Sequence, residues 1–354
     1  MFGGPIMNIG LIGCGRVASL HMNVYAHIKD ANVVAVSDID LRKARTFADK
    51  YGIGKVFTNY TDLLEIKDLG FVDICTPTST HARVVCDVAK SGHDILVEKP
   101  MALSTAECER MILESKKHGV KVCVCHNQLF FPSIRKAKSM VDSGDYDLAS
   151  FRTSFKGSTE LMGCPSWISN PGEGGILWEE GYHTAYLQLH FLQNIKEVYA
   201  VGSKVKHPVH DVFTVLLRTS GRSYGIIEAS WIAKERELSC EISNSDGKIA
   251  QIDLKCDHLL EKTGAIHRHK NLVYRFYTGE KRLLGGWIHK VGTLLKTRFP
   301  SIYGLSHFFL IKSYMESLEN GSSPPVQPEE GKEAIKLLEC IEESLDKHQP
   351  VLIK

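Results

Sequence analysis

A glycine-rich segment near the start of the chain has the residue types and spacing of a phosphate-binding turn. Gly13 can adopt the positive φ of a tight turn, Gly15 lets the backbone approach a pyrophosphate, and Ala18 lets a helix pack closely on the preceding strand. Asp38 ends the next apolar run, 20 residues after Ala18 (38 − 18 = 20), where a carboxylate should accept hydrogen bonds from ribose hydroxyls. Glycine turns also join strands to helices without a ligand, but the strand, the helix and the acid together predict a dinucleotide site. Its expected contacts are Gly13, Cys14, Gly15, Arg16, Val17, Ala18 and Asp38.

Polar residues also follow the later apolar runs of this region, where a parallel sheet gathers its ligand contacts. Lys99 comes directly after an apolar run and precedes Pro100, which fixes the local chain direction. We therefore expect its side chain to face the nicotinamide end of the crevice, although a lone lysine at a strand end is usually a solvated surface residue. The other contacts expected at strand ends are Thr76, Pro77, Thr78, His81, Glu98 and Asn127.

A glutamate and a histidine in the middle of the chain are spaced for joint action. Glu179 and His183 lie four residues apart in a segment with helical periodicity, so both side chains are expected on one face of a helix. An ordinary helical ion pair would have the same spacing. The spacing alone leaves both interpretations open.

The elements that would position these residues alternate regularly from Met7 to His126. Apolar runs of strand length are separated by amphipathic helical segments, and three of these helices end in glycine, where a left-handed C-terminal cap is expected. Continuously apolar strands joined by helical crossovers predict a doubly wound, parallel α/β sheet of the Rossmann type. The strands are predicted at 8–12, 32–37, 55–58, 71–76, 94–98 and 120–126, and the helices at about 16–28, 40–51, 60–66, 80–91 and 104–118.

The pattern changes after a predicted helix at about 132–143. Longer stretches of alternating apolar and polar residues follow, several of them joined by compact hairpin turns, and they predict an α+β domain with a large, mostly antiparallel open sheet. We therefore expect an NAD-binding Rossmann domain over residues 1–128 and a substrate-binding and oligomerisation domain over residues 129–354. The strands of the second domain are predicted at 148–156, 195–205, 211–219, 222–231, 237–243, 248–255 and 271–278, and its helices at about 176–192, 302–319 and 329–346.

The composition argues against several other classes of protein. With 354 residues, of which 43% are hydrophobic and 24% charged, the chain is typical of a globular protein with two domains. A formal net charge of +2 gives no reason to expect a nucleic-acid partner. The 10 cysteines have neither framework nor metal-ligand spacing, so we expect buried thiols and no metal site. The first six residues lack the regions of a signal peptide, and no apolar run is long enough for a membrane span, so we expect a cytoplasmic protein.

In their order and spacing, four motifs resemble those of the Gfo/Idh/MocA family, which includes glucose-fructose oxidoreductase and inositol dehydrogenase. The motifs are the glycine turn, Cys75-Thr76-Pro77-Thr78-Ser79-Thr80-His81, Glu98-Lys99-Pro100, and Gly174-Gly175 followed by Glu179 and His183. The resemblance covers nearly the whole chain, and further similar positions are Trp167, Asp211, Trp231 and residues 325–331. It implies a Rossmann domain followed by an open antiparallel sheet.

The same resemblance implies roles for individual residues. Lys99 matches the catalytic lysine of the family and His183 its catalytic histidine, while Glu179 stands where family members often carry aspartate. The implied reaction is hydride transfer between a sugar or polyol carbinol and a nicotinamide. His183 would accept the hydroxyl proton, and the ammonium of Lys99 would stabilise the developing alkoxide. Substrate contacts are implied at Lys99, Trp167, Tyr182 and His183.

Three positions depart from the family pattern. His126-Asn127-Gln128-Leu129-Phe130 stands where Tyr-Asn-Arg-Arg-Phe is frequent, so an arginine pair is absent. Tyr186 stands three residues after His183, where an acid is common, and Glu179 is one methylene longer than aspartate. These changes leave the cofactor prediction intact and the identity of the substrate open.

Three functions remain in competition. The leading hypothesis is an NAD-dependent oxidoreductase acting on a sugar, a polyol or a sugar derivative. The alternatives are an enzyme that recycles tightly bound NAD through a transient keto-sugar, for epimerisation, elimination or glycosidic cleavage, and a non-catalytic regulator that senses a dinucleotide. A regulator would need neither Lys99 nor His183.

Asp38 predicts NAD rather than NADP, because its carboxylate can accept hydrogen bonds from two ribose hydroxyls and would repel a phosphate. Arg42, however, is close enough in sequence to reach such a phosphate.

Two surfaces predict further contacts. A large sheet covered by helices on one side leaves an open face, which predicts a homo-oligomer, either a dimer or a tetramer. Residues 281–300 form an insertion-like stretch with an apolar stripe at helical spacing. Packing on its own or a neighbouring subunit is the expected role of this stretch. A peripheral membrane contact is the alternative, and no membrane partner is expected for the protein as a whole.

Overall fold

The computed structural model describes residues 6–162, 175–262, 280–281 and 302–353. Trp167, the strand predicted at 271–278 and the stretch predicted at 281–300, apart from Lys281, lie outside these residues. The chain divides into two compact units. The first contains the chain up to Asn127 and a C-terminal segment that ends at Ile335, and the second begins at Gln128 and includes the final segment from Lys336.

The described strands of the first unit form one parallel sheet. They are β1 Met7–Ile12, β2 Ala31–Ser37, β3 Lys55–Phe57, β4 Phe71–Ile74, β5 Ile95–Val97 and β6 Val122–Val124. Their order is β3-β2-β1-β4-β5-β6, and every neighbouring pair is parallel. The order reverses between β1 and β4, so the C-terminal ends of these strands lie at the switch point where such sheets bind ligands. The predicted doubly wound sheet is confirmed.

Helices with well-defined ends connect these strands. Asp40 accepts the backbone N–H groups of Arg42 and Lys43 at the start of one helix, and Ser104 accepts that of Glu107 at the start of another. Gly52, Gly92 and Gly119 have the positive φ predicted for residues that follow helices. The helices are α1 Arg16–Tyr25, α2 Leu41–Tyr51, α3 Tyr60–Leu63, α4 Thr78–Lys90 and α5 Thr105–His118.

The second unit contains a larger sheet of alternating strands. Its described strands are β7 Leu148–Lys156, β8 Ile195–Ser203, β9 Val212–Thr219, β10 Tyr224–Ser230, β11 Glu237–Asn244, β12 Ile249–Asp253, β13 His258–Lys262, β14 Glu280–Lys281 and β15 Val351–Leu352. They form one sheet in the order β14-β13-β12-β11-β7-β10-β9-β8-β15. Within the described strands of this second sheet, only β7 and β10 pair in parallel. The mostly antiparallel sheet is therefore confirmed.

One helix of the second unit packs on this sheet and carries the candidate histidine. The helices are α6 Pro132–Asp142, α7 Thr159–Met162 and α8 Tyr182–Phe191, the last preceded by a π-helical turn over Leu177–Gly181. The rings of Phe151 on β7 and Phe191 on α8 stack with centroids 4.4 Å apart. The buried face of the sheet and α8 thus form the core that holds the π turn.

The C-terminal segment corrects the predicted domain boundaries. Its helices are α9 Ile302–Glu319 and α10 Pro328–Lys347. Helix α9 was assigned to the second domain by its position in the sequence, but it packs on α1 in the first unit. The ring of Tyr314 on α9 meets that of Phe71 on β4 at 5.3 Å, so apolar burial joins this distant segment to the parallel sheet. Among the helices of the described chain, none combines the length and the apolar character that a membrane crossing needs.

A buried carboxylate fixes the turn before β9. Asp211 is fully buried and accepts the N–H groups of Val205, Lys206 and His207 at 2.8, 2.6 and 2.9 Å. Burial alone would raise the pKa of Asp211, but these three donors lower it below its usual value. A depressed pKa in the folded state means that the ionised carboxylate stabilises the fold above the unfolded pKa.

We expect Asp211→Asn to lower the free energy of unfolding by roughly 1–3 kcal/mol near neutral pH, because three donors lose a charged acceptor. This contribution begins to decrease below about pH 4, where the carboxylate of the unfolded chain takes up a proton, and it is lost as the pH falls through the depressed pKa of the folded carboxylate, so the two proteins should converge at low pH. Urea unfolding at neutral and acid pH measures the difference. The exposed Asp142, which pairs only with Lys138 among the contacts seen, provides the matched control Asp142→Asn. An equal loss for Asp211→Asn at both pH values would contradict the prediction.

Candidate active site

The glycine turn between β1 and α1 has the geometry that its sequence predicts. Gly13 has a φ of 95°, and a Cβ atom there would lie 2.6 Å from the carbonyl oxygen of Cys75, so only glycine fits. A Cβ atom on Gly15 would meet no described atom within 4 Å, and Ala18 is fully buried. Arg16 and Val17 open α1, whose first N–H groups follow this turn directly. This arrangement fits a pyrophosphate.

The predicted ribose-binding carboxylate is joined to this turn. Asp38 accepts the N–H of Cys14 at 2.9 Å and that of Asp40 at 3.1 Å, and the Nζ atom of Lys43 lies 3.1 Å from the same carboxylate. Burial would raise the pKa of Asp38, but the two N–H donors and Lys43 hold it below its usual value. The turn and the acid are thus one preorganised, ionised site. The cation beside it is Lys43, whereas the sequence had drawn attention to Arg42.

The segment after β4 is tied to the segment that carries Lys99. His81 is fully buried, with Nε2 2.9 Å from the carbonyl oxygen of Thr76 and Nδ1 2.9 Å from that of Pro100. Burial lowers the pKa of His81 below its usual value. Pro77 is exposed, and Thr78, the first residue of α4, is half-buried. The ring of His81 lies against backbone on both sides, so His81 holds two loops together. Thr76, Pro77 and Thr78 lie at the switch point.

Glu98 and Lys99 follow β5 in different environments. Lys99 is half-buried, whereas Glu98 is buried, accepts the N–H of Lys99 at 3.0 Å, and lies 3.0 Å from Nε2 of His21. Burial would raise the pKa of Glu98, but the hydrogen bond from His21 and the nearby imidazole of His307 hold it well below its usual value. Glu98 was predicted to contact the cofactor, and the structure engages both its oxygens with protein groups.

Metal-ligand atoms occur close together beneath this loop. Those of His21, Glu98, Cys125 and His307, all buried, lie within 4.8 Å of one another. Both nitrogens of His21 and both oxygens of Glu98 already have hydrogen-bonding partners of the protein. His21 and Glu98 are therefore already engaged in a hydrogen-bond network, and we assign no metal to the cluster.

Helix α9 reaches a further predicted cofactor contact. Asn127, which follows β6, is buried and donates from Nδ2 to Oγ of Ser306 at 3.0 Å. The neighbouring His307 places Nε2 3.7 Å from Oε1 of Glu98. Two consecutive residues of α9 thus contact the ends of two parallel strands.

The structure modifies the helix that carries Glu179 and His183. Glu179 lies in the π turn Leu177–Gly181, and His183 lies in the first turn of α8. The π turn holds more residues than an α turn, so the predicted regular spacing of an α-helix does not apply across this pair. π turns are frequent at functional sites, and this one directly precedes the candidate base.

A phenol holds the imidazole of His183. Nδ1 of His183 lies 2.7 Å from the hydroxyl of Tyr186, which also accepts the N–H of Gln128 at 3.3 Å. Tyr182 and Tyr186 are buried with their rings in edge contact, whereas His183 is half-buried. Tyr182 was predicted to contact substrate, and its side chain is fully buried. The residue that stands where an acid is common therefore orients the candidate base.

Two family descriptions match most of the chain. Residues 7–126 match "Oxidoreductase family, NAD-binding Rossmann fold", and residues 134–250 match "GFO/IDH/MocA C-terminal domain". The chain belongs to the Gfo/Idh/MocA family of oxidoreductases. The resemblance inferred from the four motifs is confirmed.

The similarity between this Gfo/Idh/MocA oxidoreductase and its relatives extends over both units. Myo-inositol 2-dehydrogenase of Thermotoga maritima is 25% identical over 363 aligned positions, which cover 98% of this chain and 99% of that protein. Trans-1,2-dihydrobenzene-1,2-diol dehydrogenase of Oryctolagus cuniculus is 30% identical over 251 residues, 70% of this chain and 75% of that protein. The crystal structure of an oxidoreductase from Agrobacterium radiobacter, in complex with NAD+, L-tartaric acid and magnesium, has the same fold, with a TM-score of 0.82, 20% identity and 98% coverage of both chains. Alignments with the relatives compared span 58% to 99% of the relative's length.

Some site residues of this Gfo/Idh/MocA oxidoreductase escaped the sequence interpretation. No role was assigned to His21 from the sequence. Its partners Asp73 and Glu98 lie 52 and 77 residues away in the sequence. Lys43 could have been identified from the sequence, because it is the third residue of α2 and its side chain faces the carboxylate of Asp38, shortly before that helix.

Proposed function

We propose that this oxidoreductase is an NAD-dependent dehydrogenase that transfers hydride between nicotinamide and a carbinol of a sugar, a polyol or a sugar derivative. The observation that carries the proposal is the 2.7 Å contact between His183 and Tyr186. A fixed imidazole at the surface of a buried helix suits the removal of a hydroxyl proton. The names of the relatives, which include an inositol dehydrogenase, support an alcohol substrate.

The proposed chemistry separates a proton from a hydride. When Tyr186 accepts the Nδ1–H of His183, Nε2 carries the lone pair and accepts the proton of the substrate hydroxyl. The ammonium of Lys99 stabilises the oxygen as negative charge develops there. Bound nicotinamide supplies the acceptor for the hydride that leaves the carbinol carbon, and the substrate becomes a carbonyl compound. Glu179 is assigned to orient the lysine or the imidazole and to keep the ammonium charged.

The cofactor-binding assignment rests on the first unit. Gly13, Gly15 and the N-terminus of α1 are assigned to the pyrophosphate, and Asp38 to the adenosine ribose. Ile39 is almost fully exposed beside Asp38, which suits contact with an apolar adenine face. Thr76 and Thr78 are assigned to the nicotinamide half, since they lie at the switch point.

A substrate panel tests the proposal. Purified protein is mixed with NAD+ and with myo-inositol, other alditols, aldoses and trans-1,2-dihydrobenzene-1,2-diol in turn, and the absorbance of reduced nicotinamide is followed. We expect release of NADH with at least one alcohol. Turnover without NADH in solution would instead support a recycled cofactor. An absence of both turnover and nucleotide binding would contradict the dehydrogenase assignment and leave only the fold.

We propose NAD in preference to NADP and expect a lower dissociation constant for NAD in wild-type protein. Asp38→Asn should raise the NAD dissociation constant by about 10- to 100-fold, since it removes a charged acceptor of ribose hydroxyls. The same change leaves Lys43 beside the site, so NADP binding should improve. The double variant Asp38→Asn with Lys43→Met should lose that gain, and Arg42→Met serves as the neighbouring control. Fluorescence titration gives the constants, and equal values for the two cofactors in wild type would refute the preference.

We propose that the open face of the second sheet forms a homo-oligomer. Tyr199 and Val201 on β8 and Leu216 on β9 are 39%, 56% and 48% exposed, and Tyr199 pairs directly with Leu216. Toward β7 the same face carries charge, as Ile226 pairs with both Leu216 and Arg152. The open face is therefore apolar at one side only, which suits a paired interface with a polar rim.

Sedimentation velocity at micromolar concentration should show a dimer or a tetramer. Leu216→Glu should shift the protein toward monomer, because it places a charge in the apolar part of the interface. Leu113→Glu changes an exposed leucine of α5 in the first unit and is the matched control. A wild-type monomer would disprove the proposed assembly.

A further inference from the structure

We propose that His21 is a positioning residue for Lys99 and acts through Glu98. His21 lies on α1, which begins directly after the glycine turn, and Glu98 directly follows β5. The inference rests on the proposed function only in so far as Lys99 takes part in catalysis. The structural part of the inference, that His21 fixes the backbone of Lys99, stands separately.

A continuous chain of hydrogen bonds connects three elements of the first unit. Tyr25 donates its hydroxyl to Asp73 on β4 at 2.7 Å, and Nδ1 of His21 lies 2.8 Å from the same carboxylate oxygen. Nε2 of His21 lies 3.0 Å from Oε1 of Glu98, and Oε2 of Glu98 accepts the N–H of Lys99 at 3.0 Å. The chain thus runs from α1 and β4 to the amide from which Lys99 projects.

Both ring nitrogens of His21 face carboxylates, which only accept hydrogen bonds, so both nitrogens must donate. The ring is therefore an imidazolium. Burial alone would lower the pKa of His21, but Asp73 beside it raises the pKa well above its usual value. Charge-assisted bonds on both sides are stronger than neutral ones, and in a buried site they permit little movement.

A second contact restricts Glu98 from another direction. Nε2 of His307 on α9 lies 3.7 Å from Oε1, the oxygen that His21 also approaches. With Oε1 held between two imidazoles, Oε2 is directed at the N–H of Lys99. Small displacements of a catalytic group can cost about 10²-fold in rate, so this fixation bears directly on the position of the ammonium.

Four variants separate positioning from general stability. His21→Phe removes both donors, and Glu98→Ala removes the acceptor of the Lys99 N–H. Glu98→Gln keeps an oxygen for Lys99 and offers an amide N–H to a neutral His21, so it is the conservative rescue. His93→Phe is the matched control, because His93 is a buried histidine of the same unit whose Nε2 lies 3.0 Å from the carbonyl oxygen of Leu64.

The direct readout is the hydrogen exchange of the Lys99 amide, followed by NMR on protein labelled with 15N-lysine. We expect exchange to accelerate about tenfold or more in His21→Phe and Glu98→Ala, as for loss of one hydrogen bond, and to change little in Glu98→Gln and His93→Phe. The kcat value on the best alcohol of the panel should fall by about 10²-fold in the first two variants while the NAD dissociation constant changes little.

The outcomes distinguish this inference from the proposed function. Altered exchange with no turnover of any alcohol by wild type would support the fixation of Lys99 and reject the dehydrogenase. Turnover by wild type with unchanged exchange and kcat in His21→Phe would overturn the positioning role. If His21→Phe does not fold, the comparison of Glu98→Ala with Glu98→Gln decides, and equal losses of kcat in both would overturn it.

Discussion

Replacing His183 by alanine is expected to lower kcat by about two to four orders of magnitude, the usual contribution of a positioned general base. The hydroxyl proton must leave as the hydride departs. A water molecule that takes the place of the imidazole in this variant is not held in position, and its pKa does not suit it to accept that proton. The NAD dissociation constant should change little, because the predicted cofactor contacts are all in the first unit. Steady-state rates on the best alcohol, with NAD binding measured in parallel, provide the test.

Tyr186→Phe is the informative companion variant. It removes the hydroxyl that lies 2.7 Å from Nδ1 of His183 but leaves the imidazole and the packing of the ring in place. We expect a loss smaller than that of His183→Ala, since the base is retained and only its orientation is weakened. If His183→Ala keeps near-full activity, the base has been assigned wrongly. If Tyr186→Phe loses as much as His183→Ala, the phenol itself takes part in proton transfer.

Lys99→Met should have the second large effect, a fall in kcat of about 10²- to 10³-fold, comparable to removal of one donor from an oxyanion site. Methionine keeps the length and the apolar stem of lysine but has no charge, so packing and the N–H bond to Glu98 are preserved. Binding of NAD should persist. Lys90→Met, on an exposed lysine of α4 that pairs with Asp87, is the control. Unimpaired turnover by Lys99→Met would show that the alkoxide is stabilised by another group.

Much of the first unit could be predicted because its signals are local. Gly13, Gly15 and Asp38 occupy fixed positions relative to one strand, one turn and one helix, and the structure joins them by the hydrogen bond from Cys14 to Asp38. The alternation of apolar runs with helices likewise gave the order of elements directly. Such features depend on neighbours within about 20 residues in the chain.

The features that could not be predicted depend on distant or subtle contacts. Strand β13 contains the consecutive residues Leu259 and Leu260, which break the two-residue period by which strands are recognised. The π turn before His183 arises from one extra residue in a helical turn, and no residue type encodes it. His21 belongs to a network whose members are far apart in sequence. Helix α9 was misassigned because chain order does not reveal which sheet an apolar helix covers.

The return of α9 to the first unit has a consequence for synthesis of the protein. Residues near position 98 and position 127 leave the ribosome long before Ser306, which contacts Asn127, and His307, which lies near Glu98. The strands of the parallel sheet can form early, but the packing around Glu98 closes only when the chain is almost finished. A fragment that ends near residue 128 should therefore expose the apolar surface that α9 covers. Transplanting this cofactor-binding unit into another protein requires two separate stretches of the gene.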